Sequence, residues 1–84
     1  MMAEEPANGI LTRIPGQYIG ASLNTLPAAA AATVDTMQTE IHVPDIGLVR
    51  FTARRSRGRH GKTLHVFWTA TRAELVDGLH DAVG

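Results

Sequence analysis

The chain contains no cysteine, which excludes a disulfide framework and any zinc site built on thiolates. It contains no apolar run near the ~20 residues that a membrane-spanning helix needs. Aromatic residues are scarce: one Trp, one Tyr and two Phe. Lysine is scarcer still, with Lys62 alone against seven arginines. Together with the abundant alanine, that bias points to a GC-rich bacterial or phage genome. The opening residues, "MMAEEPANG", carry two glutamates and no basic segment. They are unlike a secretory signal and read as a flexible tail over residues 1–9.

What remains, residues 10–84 of an 84-residue chain, is expected to be a single domain. A domain this small buries only about 60% of the surface its unfolded chain exposes. Without a disulfide or a thiolate metal site, a partner becomes the expected source of extra stability, a homodimer included. The expected location is the bacterial cytoplasm, away from membranes.

The formal charge is zero, but the charges are segregated. Residues 1–49 set Arg13 against Glu4, Glu5, Asp35, Glu40 and Asp45. Residues 50–63 hold Arg50, Arg54, Arg55, Arg57, Arg59 and Lys62 with no acid. Residues 64–84 set Arg72 against Glu74, Asp77 and Asp81. A neutral protein divided in this way can bind an anion at one end.

Hydropathy patterning predicts two helices around three strands. "ILTRI" (10–14) reads as a short strand or extended arm, and "YIGASLN" is ambiguous. Asn24 or Thr25 can cap a helix over 26–38, where Pro27 is tolerated in the first turn and five alanines follow. Leu26, Ala30, Val34 and Met37 then share one face. "TEIHV" (39–43), "LVRFTARR" (48–55) and "KTLHVFWTA" (62–70) alternate as strands, separated by the turns "PDIG" and "SRGRHG". In the last strand Leu64, Val66 and Trp68 oppose His65 and Phe67. Thr71 and Glu74 have capping-box spacing before Ala73, Val76, Leu79 and Val83, which predicts a closing helix. The expected fold is α+β: a small antiparallel three-stranded sheet, with room for a fourth strand, and two helices in the order (β)-α-β-β-β-α.

The stretch "ARRSRGRHGKT" (53–63) has three readings. As a phosphate loop, Ser56–Thr63 departs from the pattern at its first glycine, and an alternating aromatic strand follows where a helix is required. As a recognition element, Arg54, Arg55, Arg57, Arg59 and Lys62 crowd the tip of a two-stranded ribbon, where guanidinium forks match phosphate or carboxylate. Arg50, His65 and Phe67 extend that patch along the sheet, and Phe67 is placed to stack on a base or anchor a protein partner. Five phosphate contacts would give a log K against log salt slope of about −4 to −5. As a plain solvated tip, the arginines would serve to blunt an edge. Six cations in 14 residues with no acid exceed what solubility needs.

Catalysis has little support. Ser22 and Ser56 lie in no nucleophile elbow. His42 and His65 facing one another near Glu40 would supply a base and an acid, but histidine on an exposed sheet face is usually only that. A His42/His65 or His60/His65 pair is one ligand short of a good metal site. No enzyme activity, metal or cofactor is expected. Phe67 points away from the face that carries Trp68, so the arm, a second subunit or a partner must cover it.

The predicted α-β-β-β-α order over about residues 25–83 resembles double-stranded-RNA-binding domains. The Lys-rich cluster that family carries at the start of its last helix is replaced here by Thr71-Arg72-Ala73-Glu74. The sheet also resembles the three-stranded DNA binders of mobile elements. In general profile (small, cysteine-free, bipolar, without catalytic motifs) the chain resembles anti-CRISPR proteins. That resemblance implies an inhibitor that docks on a large protein or ribonucleoprotein complex of the host. The alternative is a module that binds DNA or RNA directly through the same hairpin.

Overall fold

The computed structural model describes residues 7–78. A helix α1 (Gly16–Leu23) is followed by three strands, β1 (Thr36–Val43), β2 (Gly47–His60) and β3 (Thr63–Gly78), in one antiparallel meander of order β1-β2-β3. Short 3-10 turns stand at Leu11–Arg13 and Ala29–Ala31. Among the described residues the expected three-stranded antiparallel sheet is present, the two expected helices are not, and the one α-helix lies where the sequence is ambiguous.

β2 organises the sheet. Val49, Phe51 and Ala53 are buried, while Arg50, Thr52 and Arg54 alternate onto the open face. The buried face meets Val43 from β1, Ala73 from β3 and Ile14 ahead of α1. Ile10, Leu11, Tyr18 and Ile19 pack around this cluster. The open face is polar: Glu40 and Glu74 flank Arg50 in register. Arg50 Nη2 lies 3.0 Å from Glu40 Oε2, and Arg72 Nε lies 3.2 Å from Glu74 Oε2. Such exposed pairs each contribute about 1 kcal/mol or less.

The turns follow the residue types. Between β1 and β2, Pro44 occupies the position that favours φ near −65° and Asp45 takes φ 69°. Between β2 and β3 only Gly61 and Lys62 are unpaired, with Gly61 at φ 65°, as primed hairpin turns require.

The expected closing helix is instead the second half of β3, with residues 79–84 outside the described residues. Two bulges explain the discrepancy. Thr52 pairs Arg72 while Ala53 pairs Ala70, leaving Thr71 extra; Leu48 pairs Asp77 while Val49 pairs Leu75, leaving Val76 extra. Each extra residue shifts the alternation by one. The inward face therefore steps from Ala70 to Ala73, a threefold spacing that mimics a helix.

The expected helix 26–38 is also corrected. Only Ala29–Ala31 coil, flanked by extended Ala28 (ψ 132°) and Ala32 (ψ 145°), and β1 already begins at Thr36. An alanine run this short is marginal as an isolated helix. Tertiary bonds claim the carbonyls at its two ends instead: Trp68 Nε1 donates to O of Pro27, which precedes the run, and Arg55 Nη1 donates to O of Ala32, its last residue, both at 2.7 Å. Residues 27–35 thus form a strap across the sheet. The arm at 10–14 is not a strand but a 3-10 turn. Its preceding residues join the β3 edge, where Ile10 N donates to Ala73 O (2.9 Å) and Ala73 N donates to Asn8 O (3.1 Å).

Candidate anion-docking ribbon

β1 stops pairing at Thr36–Arg54, whereas β2 and β3 continue to His60–Thr63. Residues 55–68 therefore leave the three-stranded body as a two-stranded ribbon, about 20 Å long at the usual rise per residue. The expected wide turn at 56–61 is paired strand up to His60, which places its arginines along the ribbon rather than in a loop.

Of the expected site residues, Arg50 and Arg55 serve the body. Arg50 is held by Glu40. Arg55 bridges Ala32 O and Asp35 Oδ1 at 2.7 and 2.9 Å, and its side chain is only 23% exposed. Arg54, Arg57, Arg59 and Lys62 are exposed and have no ion-pair partner among the described residues. Arg57 lies opposite Val66 and Arg59 opposite Leu64, on the face that carries Trp68. Arg54 lies opposite Thr69 on the other face, and Lys62 sits in the turn. From Arg54 to Ala70 there is no acidic residue.

Phe67 and His65 occupy the open face, opposite Ser56 and Gly58. The Phe67 ring reaches over Gly58, where a Cβ would meet Phe67 Cε1 at 3.2 Å. Glycine leaves a bare strand position and the neighbouring ring fills it. Phe67 nonetheless remains 45% exposed, because the arm at 8–10 lies beside Ala73 instead. The His60 and His65 rings stand edge to face with centroids 6.4 Å apart.

The base-and-acid site imagined between His42 and His65 does not form. His42 lies opposite Leu48 and His65 opposite Gly58, ten β2 residues apart, or roughly 33 Å. Ser22 is buried with its hydroxyl on Ile19 O at 2.6 Å, and the Ser56 hydroxyl lies 2.9 Å from that of Thr69. Among the described residues, no three His, Asp or Glu side chains stand close enough to hold a metal ion. Ser56–Thr63 spans a strand, a turn and a strand, so no helix N-terminus follows it to receive a phosphate. No described helix is long and apolar enough to cross a membrane.

One feature was not legible from the sequence. Leu23, Leu26 and Pro27 form an apolar wall beside Val66 and Trp68, leaving an open groove along the outer side of β3. Its signal was present in Pro27, which cannot donate a backbone bond, and in a tryptophan whose indole N–H needs an acceptor. No family model matches the chain, and neither a curated protein nor a solved structure matches it.

Proposed function

We propose that this chain is a non-enzymatic interaction protein that docks its arginine ribbon on an anionic surface of a nucleic-acid-processing complex in the bacterial cytoplasm, as an anti-CRISPR-like inhibitor would. One observation carries the reading: Arg57, Arg59 and Lys62, exposed and without an ion-pair partner among the described residues, lie on a projecting ribbon that bears no acid, with Arg54 at its base. Charges held this way steer association and reward a partner of opposite sign. Phe67 is half exposed on the other face of the ribbon, away from Arg57 and Arg59, and is not needed for that contact.

A second reading, direct binding of DNA or RNA, is favoured by the ribbon itself. A two-stranded β-ribbon fits the B-DNA major groove, about 12 Å wide. Against it stands the zero net charge, since such domains are usually basic overall.

Fluorescence anisotropy with labelled duplex DNA, duplex RNA and single strands at several salt concentrations separates the two. Four phosphate contacts predict a slope of about −3 to −4 on free nucleic acid. A steep slope that is lost in the triple variant Arg57→Ala, Arg59→Ala, Lys62→Ala establishes the nucleic-acid module. No binding at low salt, with capture of a ribonucleoprotein complex from bacterial lysate by the native chain but not by the triple variant, supports docking. If neither appears, the ribbon is not a recognition element.

A further inference from the structure

The outer edge of β3 is unguarded. Arg55 N donates to Asp35 O at 2.7 Å, so the Arg55 backbone faces away from β3. Its direct partner is Trp68. The backbone groups of Trp68 therefore face away from β2, because in an antiparallel pair the two opposed residues either both bond to each other or both point outward. Pairing is regular from Ala53–Ala70 to His60–Thr63. Leu64, Val66 and Ala70 consequently point their N–H and C=O groups the same way as Trp68. Among the described residues, none of these groups bonds to another segment. The free edge is bounded by the turn at Gly61–Lys62 and by the bulge at Thr71, beyond which the arm takes Ala73.

Natural edges are protected by lysine or other charges, proline or bulges. The outer edge of β1 carries Glu40 and ends at Pro44, and the ribbon edge of β2 carries Arg57 and Arg59. Residues 63–70, "TLHVFWTA", carry neither a formal charge nor proline, and no bulge interrupts them. Leu64 and Phe67 are 53% and 45% exposed.

We infer that this edge pairs with a second copy of the chain, β3 against β3 antiparallel, with the two-fold axis at Phe67. The register is self-consistent. It sets Leu64 of one copy against Ala70 of the other, and Val66 against Trp68. Every outward backbone group then meets another, giving about eight intermolecular bonds. Phe67 meets its own copy in a non-hydrogen-bonded pair, where side chains approach closest and aromatic pairs stabilise a sheet. On the opposite face, Val66 of the second copy comes beside the apolar wall of Leu23, Leu26 and Pro27. Arg57 and Arg59 lie one strand further out on each side. Three strand spacings, about 14 Å, separate them across the dimer, beyond the Debye length at physiological salt. The result is a continuous six-stranded sheet that covers the exposed aromatic and leaves both arginine edges free.

Position 65 of one copy stands opposite position 69 of the other, and both side chains are exposed, which permits a charge test of the register. Sedimentation velocity of the full chain at several concentrations should give twice the chain mass. Combining His65→Lys with Thr69→Lys places like charges opposite one another and should reduce the mass to that of one chain, with an unchanged circular dichroism spectrum. Combining His65→Lys with Thr69→Glu places opposite charges together and should restore the dimer. A native chain that stays monomeric overturns the inference. So does a dimer that ignores the doubled lysine, or one that the lysine–glutamate combination fails to restore.

Discussion

Arg55 and Trp68 face one another across the base of the ribbon, and each reaches the same strap with one 2.7 Å bond, Arg55 to Ala32 O and Trp68 to Pro27 O. The pair fixes the strap at both ends and holds the alanine run out of a helix. Trp68→Phe removes the indole donor while keeping a ring, and Arg55→Lys removes the fork that also holds Asp35. Each should lower stability by about 1 kcal/mol, read as a fall in melting temperature of roughly 4–8 °C for a domain of this size. The double variant should lose less than the sum, because once one end of the strap is loose the other bond holds less. Strict additivity in thermal or urea unfolding would show that the two bonds act independently.

The same pair shows what the sequence displayed and what it concealed. The alternation Val49-Phe51-Ala53 against Arg50-Thr52-Arg54 was legible, because the extra residues of both bulges lie on β3 and β2 keeps an unbroken period with one wet face. So was the division of Trp68 from Phe67, and with it the exposure of Phe67. The alanine run misled because helix propensity is a weak prior that tertiary bonds to Pro27 and Ala32 override. The end of β3 misled because Thr71 and Val76 insert extra residues, and the shifted alternation takes on a helix-like step. At the ribbon, the cluster of basic residues was legible as a cluster. That Arg50 and Arg55 are engaged by Glu40 and Asp35 was not, because both acids are distant in sequence.

Phe51 is wholly buried at the centre of a core with few members, Val43, Val49, Ile14 and Ala73 among them. Phe51→Ala removes its largest side chain and should cost about 3–5 kcal/mol. Total stabilities run from about 5 to 15 kcal/mol, and small domains sit at the low end. The variant should be largely unfolded at 37 °C, seen as loss of the strand signal in circular dichroism. A cooperative transition with the native midpoint would mean that the core lies elsewhere.

Gly9 has φ 63°, and a Cβ there would stand 2.1 Å from Ala73 O. Gly9→Ala therefore forces the arm off the β3 edge and breaks the two bonds between Ala73 and residues 8 and 10. A left-handed backbone for a non-glycine residue costs roughly 1–3 kcal/mol where the surroundings hold it. Here the arm can leave instead, so the amides of Ile10 and Ala73 should lose hydrogen-exchange protection while those of the β2–β3 ribbon keep theirs. Protection unchanged at Ile10 would refute the close approach.

Binding and stability should separate along the arginines. Arg57, Arg59 and Lys62 contact no acid among the described residues, so replacing each by Ala should leave unfolding within about 0.5 kcal/mol of native. If the partner surface is nucleic acid, each replacement should also lower the magnitude of the salt slope by about 1. Arg50 provides the internal control. It lies between Glu40 and Glu74 on the body, away from the ribbon, so Arg50→Ala should leave the salt slope unchanged. Isothermal titration across salt concentrations with each single variant reads both effects on the same samples. Equal losses of affinity from Arg50 and Arg57 variants would mean that the whole basic segment contributes through its net charge. A loss confined to positions 57, 59 and 62 would assign binding to the ribbon's geometry, because Arg50 carries the same charge at a site the ribbon does not present.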